Sequence, residues 1–208
     1  MSLPRYDGIK RGVDVILSSV GLVLTAPLQI GVAVLVRVKL GAPVIFRQQR
    51  PGANAKVFTL YKFRTMLPPD PERGRVSDAA RLTPLGAFLR STSLDELPSL
   101  WNVLRGDMSL VGPRPLRTYY LPLYTPEQAR RHEVRPGITG LAQVTGRNEL
   151  PWEDRFRLDV TYVDNRSITL DLSILLQTVF RVLRRSGTTA PGHVTMPPFT
   201  GSAGTDND

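Results

Sequence analysis

Cysteine is absent from the 208-residue sequence, and histidine occurs only at His132 and His193. Disulfides and thiolate metal sites are therefore excluded, and two imidazoles are too few for a histidine-built zinc centre. Any metal must be held by oxygen. The chain also lacks a P-loop, a dinucleotide fingerprint, a helix-turn-helix, a zinc finger, an aromatic RNA-binding pattern and internal repeats. Acidic residues are in deficit, 18 against 27 Lys and Arg, which leaves a formal charge of +9. That balance favours an anionic partner such as phospholipid headgroups or a phosphorylated substrate. Because the basic residues are spread along the chain, no nucleic-acid partner is expected.

Charge is missing altogether from residues 15–36, a run rich in Val, Leu and Ile. At about 1.5 Å per residue a straight helix of that length could cross a hydrocarbon core. Three features argue for a different path. Pro27 near the middle removes a backbone donor and predicts a kink. Arg5, Lys10 and Arg11 precede the run while Arg37, Lys39, Arg47 and Arg50 follow it, so both ends prefer the cytoplasmic face. Thr25 and Gln29 can partner backbone groups that the kink leaves unpaired in lipid. The expectation is a hairpin-like helix that enters and leaves one leaflet. A straight signal anchor, a cleaved signal peptide and a buried core helix are the alternatives.

Downstream, VIFRQQRPG and KVFTLYKFRTM read as strands separated by the turn residues Pro51, Gly52 and Asn54, predicting a small hairpin. Residues 68–78 read as a surface loop. Thr83 with Pro84 opens a helix, and Thr125, Pro126 and Gln128 form the cap of another. Pro151 opens a helix that places Trp152, Phe156, Val160 and Val163 on one face. Residues 170–185 form a basic amphipathic helix whose apolar stripe suits a bilayer surface or the protein core. The resulting fold class is α+β, mostly helical. Its expected divisions are a membrane hairpin over residues 1–40, a catalytic domain over 41–186 and a tail over 187–208.

The densest signal is STSLDELPSLWNVLRGDMSLVGPRP, with Asp95 and Glu96 adjacent at an apparent helix start. Ser93 with Glu96 three residues later reads as a capping box, and Asp95 would complement the helix dipole. The same geometry allows catalysis, since a carboxylate kept ionised can attack phosphorus and form an acyl phosphate. Handling a diphosphate calls for a divalent cation, and oxygen-bound Mg²⁺ suits this composition. Lys62, Arg64, Arg90, Arg114 and Arg147 are candidate phosphate clamps, Arg114 being fixed between Pro113 and Pro115. Gly137, Gly140 and Gly146 could let backbone approach a ligand or could be ordinary turns.

In chain order, KRGVDVILS, FRQQRPG, FTLYKFRTM, the Asp95–Glu96 segment, VRPGITGLAQVTGRN and LDVTYVDNRSITLDLSILLQT resemble the bacterial sugar transferases, the monotopic phosphoglycosyl transferases. The resemblance covers residues 6–185. It implies transfer of a sugar phosphate from a nucleotide-sugar, a uridine diphosphate sugar, to polyprenyl phosphate at the cytoplasmic face of the bacterial inner membrane. It implies Asp95 as nucleophile, Glu96 as base or Mg²⁺ ligand, and ping-pong order. It further places Arg90 and Arg114 on the phosphates, with Lys62, Arg64, Arg147 and Asp159 lining the substrate pocket. The family's helix break often falls at Ser-Pro, whereas this chain has Ala26-Pro27. A basic binding module and a Mg²⁺ phosphatase are the competing readings. The former predicts that Asp95→Asn leaves function intact, and the uncharged run argues against the latter.

Overall fold

The computed structural model describes residues 4–146, 150–184 and 198–201. Helix α1 (Pro4–Leu40) carries the uncharged run and contains Pro27. A hairpin follows, β1 (Ile45–Pro51) and β2 (Val57–Phe63), in antiparallel register with Phe46 opposite Lys62 and Arg50 opposite Phe58. Then come α2 (Asp78–Arg81), α3 (Pro84–Ser91) and α4 (Ser99–Arg105). Strand β3 (Ser109–Val111) pairs in parallel with β4 (Gly137–Thr139), with α5 (Pro126–Ala129) between them in sequence. Helices α6 (Leu141–Thr145), α7 (Trp152–Asn165) and α8 (Ile168–Arg184) complete the described chain.

Local sequence signals account for most of these boundaries. Thr83 accepts from Gly86 N at the start of α3, and Thr125 with Gln128 forms the expected capping box on α5. The expected capping box at Ser93 does not form. Ser93 has φ 57 and makes no side-chain cap bond, and Asp95 and Glu96 lie on a single 3₁₀ turn, Leu94–Glu96, ahead of α4. A non-glycine residue in the left-handed region is unfavourable by about 1 kcal/mol, and here it turns the chain from α3 into the acid pair.

A two-stranded sheet leaves an open edge, and α4 covers the one on β2 with side chains. Asn102 accepts from Tyr61 N at 3.1 Å and donates to Thr59 O at 2.8 Å, while Ser99 donates to Tyr61 O at 2.8 Å. These bonds satisfy the backbone groups that a third strand would otherwise take.

Helix α1 is held along one stripe. Arg11 donates to the carbonyls of Val103 and Leu104 at 2.6 and 2.7 Å, adding donors to acceptors at the end of α4. Asp14 accepts from Leu110 N at 3.0 Å. Farther along, Val32, Val36 and Leu40 are buried in a cluster with Phe63 and Leu89. The spacing of four among these residues puts them on one face. The remaining surface is apolar and bare, with Val23, Leu24 and Val38 each more than 70% exposed. A soluble surface helix has the opposite pattern, so this one suits an apolar surrounding. By length and composition it could cross a membrane. Inside it, Thr25 Oγ1 donates to Gly21 O at 2.6 Å and Gln29 Nε2 to Thr25 Oγ1 at 2.9 Å, flanking Pro27.

Helix α8 resolves the two options for its apolar stripe by dividing it. Ile174 is buried and Leu170 and Leu175 pack beside it, whereas Leu172, Leu176, Val179 and Phe180 are exposed. Within the segment expected as a tail, Phe199 is 4% exposed and packs with Tyr120 and Phe156, with Trp152 and Tyr124 around it. The parallel β3–β4 pair has no counterpart in the sequence expectations. It depends on glycine: a Cβ on Gly137 would meet Gly112 N at 2.2 Å, and one on Gly112 would meet Arg135 O at 2.4 Å. These glycines serve backbone-to-backbone approach.

Candidate active site

The hairpin supplies the floor of a cavity of about 580 Å³. Side chains alternate across a sheet, so Phe46, Gln48 and Arg50 of β1 share a face with Leu60 and Lys62 of β2, and all five line this cavity. The 3₁₀ turn brings Asp95 and Glu96 to one end, where the β2 edge bonds of α4 hold the turn against the strand. Arg90 arrives on α3, which lies close to β2's exit because Gly86 has no Cβ. One there would meet Thr65 O at 1.8 Å.

The acid pair is asymmetric. Glu96 Oε1 accepts from Lys62 Nζ at 2.5 Å and from Arg114 Nη2 at 2.8 Å. Burial opposes ionisation of Glu96, but the Arg114 and Lys62 charges outweigh it and hold the carboxyl well below its usual range. Asp95 is 7% exposed, and burial, reinforced by the Glu96 charge, pushes its carboxyl up to about 6. Lys62, Arg114 and Arg90 act in the other direction without prevailing. At neutral pH both acids are ionised. Asp95 is the more basic of the two and has no hydrogen bond among those of the described residues. That is the condition of a poised nucleophile.

Arg114 is placed by its backbone. Pro113 and Pro115 flank it, Arg131 Nη2 donates to its carbonyl at 2.7 Å, and Arg50 Nη1 donates to the Pro115 carbonyl at 3.1 Å. Arg131 is itself fixed by a buried pair with Asp159, at 2.7 and 3.0 Å. Asp159 thus lines the cavity, but its Oδ2 is committed to Arg131.

The expected site residues fall into three groups. Asp95, Glu96, Lys62, Arg90 and Arg114 converge on the acid end. Arg64 reaches the cavity wall, yet its guanidinium donates to the carbonyls of Leu40, Gly41 and Ala42, closing the end of α1. Arg147 lies outside the described residues. Sequence reasoning did not single out Arg117, Arg131 or Arg155 as site residues, and met Arg50 only as a flanking charge. All four line the cavity. The available signal was the alternation in FRQQRPG, which puts Arg50 on the same face as Phe46 once the hairpin is registered.

Asp95 and Glu96 could share an oxygen-bound cation. Mg²⁺ takes one or two carboxylates together with substrate phosphates, and two adjacent carboxylates lining the cavity fit that demand. Among the described residues no cluster of three or more His, Cys, Asp or Glu is suited to a metal. Substrate oxygens would therefore have to complete the shell.

Residues 5–185 match the model of the family described as bacterial sugar transferase. The chain is 58% identical over 168 residues to the uncharacterized sugar transferase EpsL of Bacillus subtilis, covering 80% of this chain and 83% of that protein. It is 42% identical over 192 residues to a UDP-glucose:undecaprenyl-phosphate glucose-1-phosphate transferase of Caulobacter vibrioides, covering 85% and 71%. It is 39% identical over 197 residues to the undecaprenyl-phosphate galactose phosphotransferase of Salmonella typhimurium, covering 86% of this chain but 41% of that longer protein.

Proposed function

The chain belongs to the bacterial sugar transferase family, and from that premise we propose that it moves a sugar 1-phosphate from a uridine diphosphate sugar to undecaprenyl phosphate through an acyl-phosphate intermediate on Asp95. The observation that carries this reading is the buried, ionised Asp95 beside a Glu96 already neutralised by Lys62 and Arg114, within a cationic cavity.

In the first displacement an Asp95 carboxylate oxygen attacks the sugar-bearing phosphorus. The bond from that phosphorus to the bridging oxygen breaks, and the oxygen leaves with the electron pair as nucleoside monophosphate. In the second, an oxygen of the acceptor phosphate attacks the same phosphorus. The bond to Asp95 breaks, restoring the carboxylate and giving polyprenyl diphosphate-sugar. Neither step needs a proton removed, because a phosphate monoester is already largely ionised at neutral pH. Glu96 is accordingly not needed as a base, and a carboxyl held so low is a weak one. Its work is to fix Lys62 and Arg114 where charge accumulates on the transferred group. Mg²⁺ held by Asp95, Glu96 and substrate oxygens would add charge neutralisation at the diphosphate. Arg90 and Arg114 supply guanidinium donors that grip phosphate oxygens.

The bare apolar surfaces of α1 and α8 support a location on the bacterial inner membrane. Positive charge on both flanks of the uncharged run, with Pro27 inside it, supports α1 kinking and returning to the cytoplasmic face, where the catalytic domain sits.

The test measures nucleoside monophosphate release by membranes holding wild type or Asp95→Asn, supplied with Mg²⁺, undecaprenyl phosphate and a panel of nucleotide-sugars. Release by wild type alone is expected and identifies the donor. Equal release by both proteins removes Asp95 as nucleophile.

A further inference from the structure

Beyond Arg90 the cavity has a wall that the acid pair and its cations do not use. Arg90 Nε donates to Thr65 Oγ1 at 3.0 Å, and the charges acting on Arg90 include both Asp95 and Asp78. Arg90 thus connects the acid end to the segment that follows β2. There Met66, Leu67 and Pro68 line the cavity together with Asp78 and Arg81 of α2. Reciprocal bonds close the neck of this segment: Leu67 N donates to Arg81 O at 2.9 Å, and Arg81 Nε donates to Leu67 O at 2.9 Å. Ser77 Oγ accepts from Ala80 N at 3.2 Å and holds the start of α2. A stretch whose sequence reads as a surface loop is therefore anchored where it meets the cavity.

The wall differs chemically from the acid end. Asp78 and Arg81 balance each other, with Arg81 Nη1 at 3.4 Å from Asp78 Oδ1, and their side chains are 31% and 24% exposed. Charge-assisted bonds of this kind are ordinarily about 2.7–2.9 Å, so the pair is loosely closed. A carboxylate has several acceptor sites and a guanidinium several donors, and this one contact exhausts neither. Met66, Leu67 and Pro68 add an apolar surface, and Pro68 has no backbone donor. Phosphate oxygens only accept and carry charge, which suits the cations around Asp95. A balanced carboxylate and guanidinium beside an apolar patch suit a neutral polyol, whose hydroxyls both donate and accept and whose ring presents C–H groups.

Resting on the proposed function, we propose that Asp78 and Arg81 read the sugar of the donor, an uncharged hexose. Asp78 accepts from its ring hydroxyls and Arg81 donates to them, while Leu67 and Pro68 meet its carbon face. The sugar stays on the phosphorus that bonds to Asp95 through both displacements. The same wall therefore holds it in the donor, in the covalent intermediate and in the product. Choice of donor is then set by α2 rather than by the acid pair, which meets a phosphate common to every nucleotide-sugar.

The test uses the full chain in nanodiscs with Mg²⁺ and undecaprenyl phosphate. It follows nucleoside monophosphate release from the uridine diphosphate hexose that wild type uses best and from the monodeoxy analogues of that donor. Wild type is compared with Asp78→Asn, and binding of uridine diphosphate, which has no sugar, reports on the rest of the cavity. Asp78→Asn is expected to lower donor kcat/KM by about tenfold, the weight of one hydrogen bond to a charged group, and to leave uridine diphosphate affinity unchanged. One monodeoxy donor should be equally poor with both proteins, because the hydroxyl that Asp78 meets is already missing. Thermal melting monitors folding. Asp78→Glu keeps the charge and replaces the amide if the amide lowers the melting point; it should impair the same donor and spare the same analogue. Additive losses with every analogue, or a parallel weakening of uridine diphosphate, overturn the assignment while an active wild type leaves the Asp95 reaction standing. No release by wild type from any donor would remove the proposed function and this assignment together.

Discussion

Arg131 Nη2 donates to the backbone carbonyl of Arg114 at 2.7 Å while the same guanidinium is paired with the buried Asp159. Asp159 is therefore connected to the acid pair through two intermediaries. It fixes Arg131, Arg131 fixes the backbone of Arg114, and Arg114 meets Glu96.

Asp159→Asn should damage both fold and turnover. Removing one partner of a buried ion pair strands the other, a loss of about 3 kcal/mol. If the positional chain holds, kcat/KM for the donor also drops about tenfold at temperatures well below the melting point. Steady-state kinetics beside a melting curve decide this: a lower melting point with unchanged kcat/KM would break the link to Arg114.

Donor kcat/KM should be level above about pH 6 and fall about tenfold per unit below it. The proposed nucleophile is the Asp95 carboxylate, whose carboxyl is held at about 6 in the metal-free site, and it is lost on protonation. Donor kinetics are the right probe, because the diphosphate of the donor stays ionised across this range whereas the acceptor phosphate titrates near the same pH. A profile that stays flat down to pH 5 contradicts the assignment.

Asp95→Asn should be more stable than wild type. A carboxyl at about 6 in the fold and 3.8 in its ordinary state destabilises the native protein by about 3 kcal/mol at neutral pH. The native state binds the proton more tightly, so the deficit shrinks as pH falls from 6 towards 3.8. The amide removes it at every pH. Melting at pH 7.5 is expected to rise by several degrees, with the gap to wild type closing near pH 4. A variant that melts lower than wild type at pH 7.5 would show that the Asp95 charge is compensated in the fold.

Because the chain has no cysteine, topology can be read from single introduced thiols. Ser2→Cys and Lys39→Cys should both resist an impermeant maleimide added outside intact cells and react after lysis. Labelling of position 2 alone in intact cells would mean that α1 spans the bilayer.

Several elements were legible from local chemistry. Alternation and turn residues marked the hairpin, Thr83 and Thr125 marked two helix starts, and the uncharged run marked α1. Ser93 shows where such reading stops: its spacing to Glu96 suits a cap, but the left-handed backbone at Ser93 is selected by the packing of α3 against Thr65 and by the α4 bonds to β2. Arg64 shows the same limit, since residues 22 to 24 positions away supply the carbonyls it closes.

By itself the sequence determined the chemical means: oxygen ligands rather than thiolates, an adjacent acid pair, an excess of cations and one long apolar helix. These follow from composition and short-range spacing, which survive any folding. Only the tertiary structure decided which acid stays basic, which arginines lack counter-charge and which merely fix backbone. Those properties depend on burial and on charges brought together from distant segments, as when Lys62 of β2 and Arg114 meet on one oxygen of Glu96. Desolvation and Coulomb energy are functions of distance in space, and one-dimensional order does not carry them.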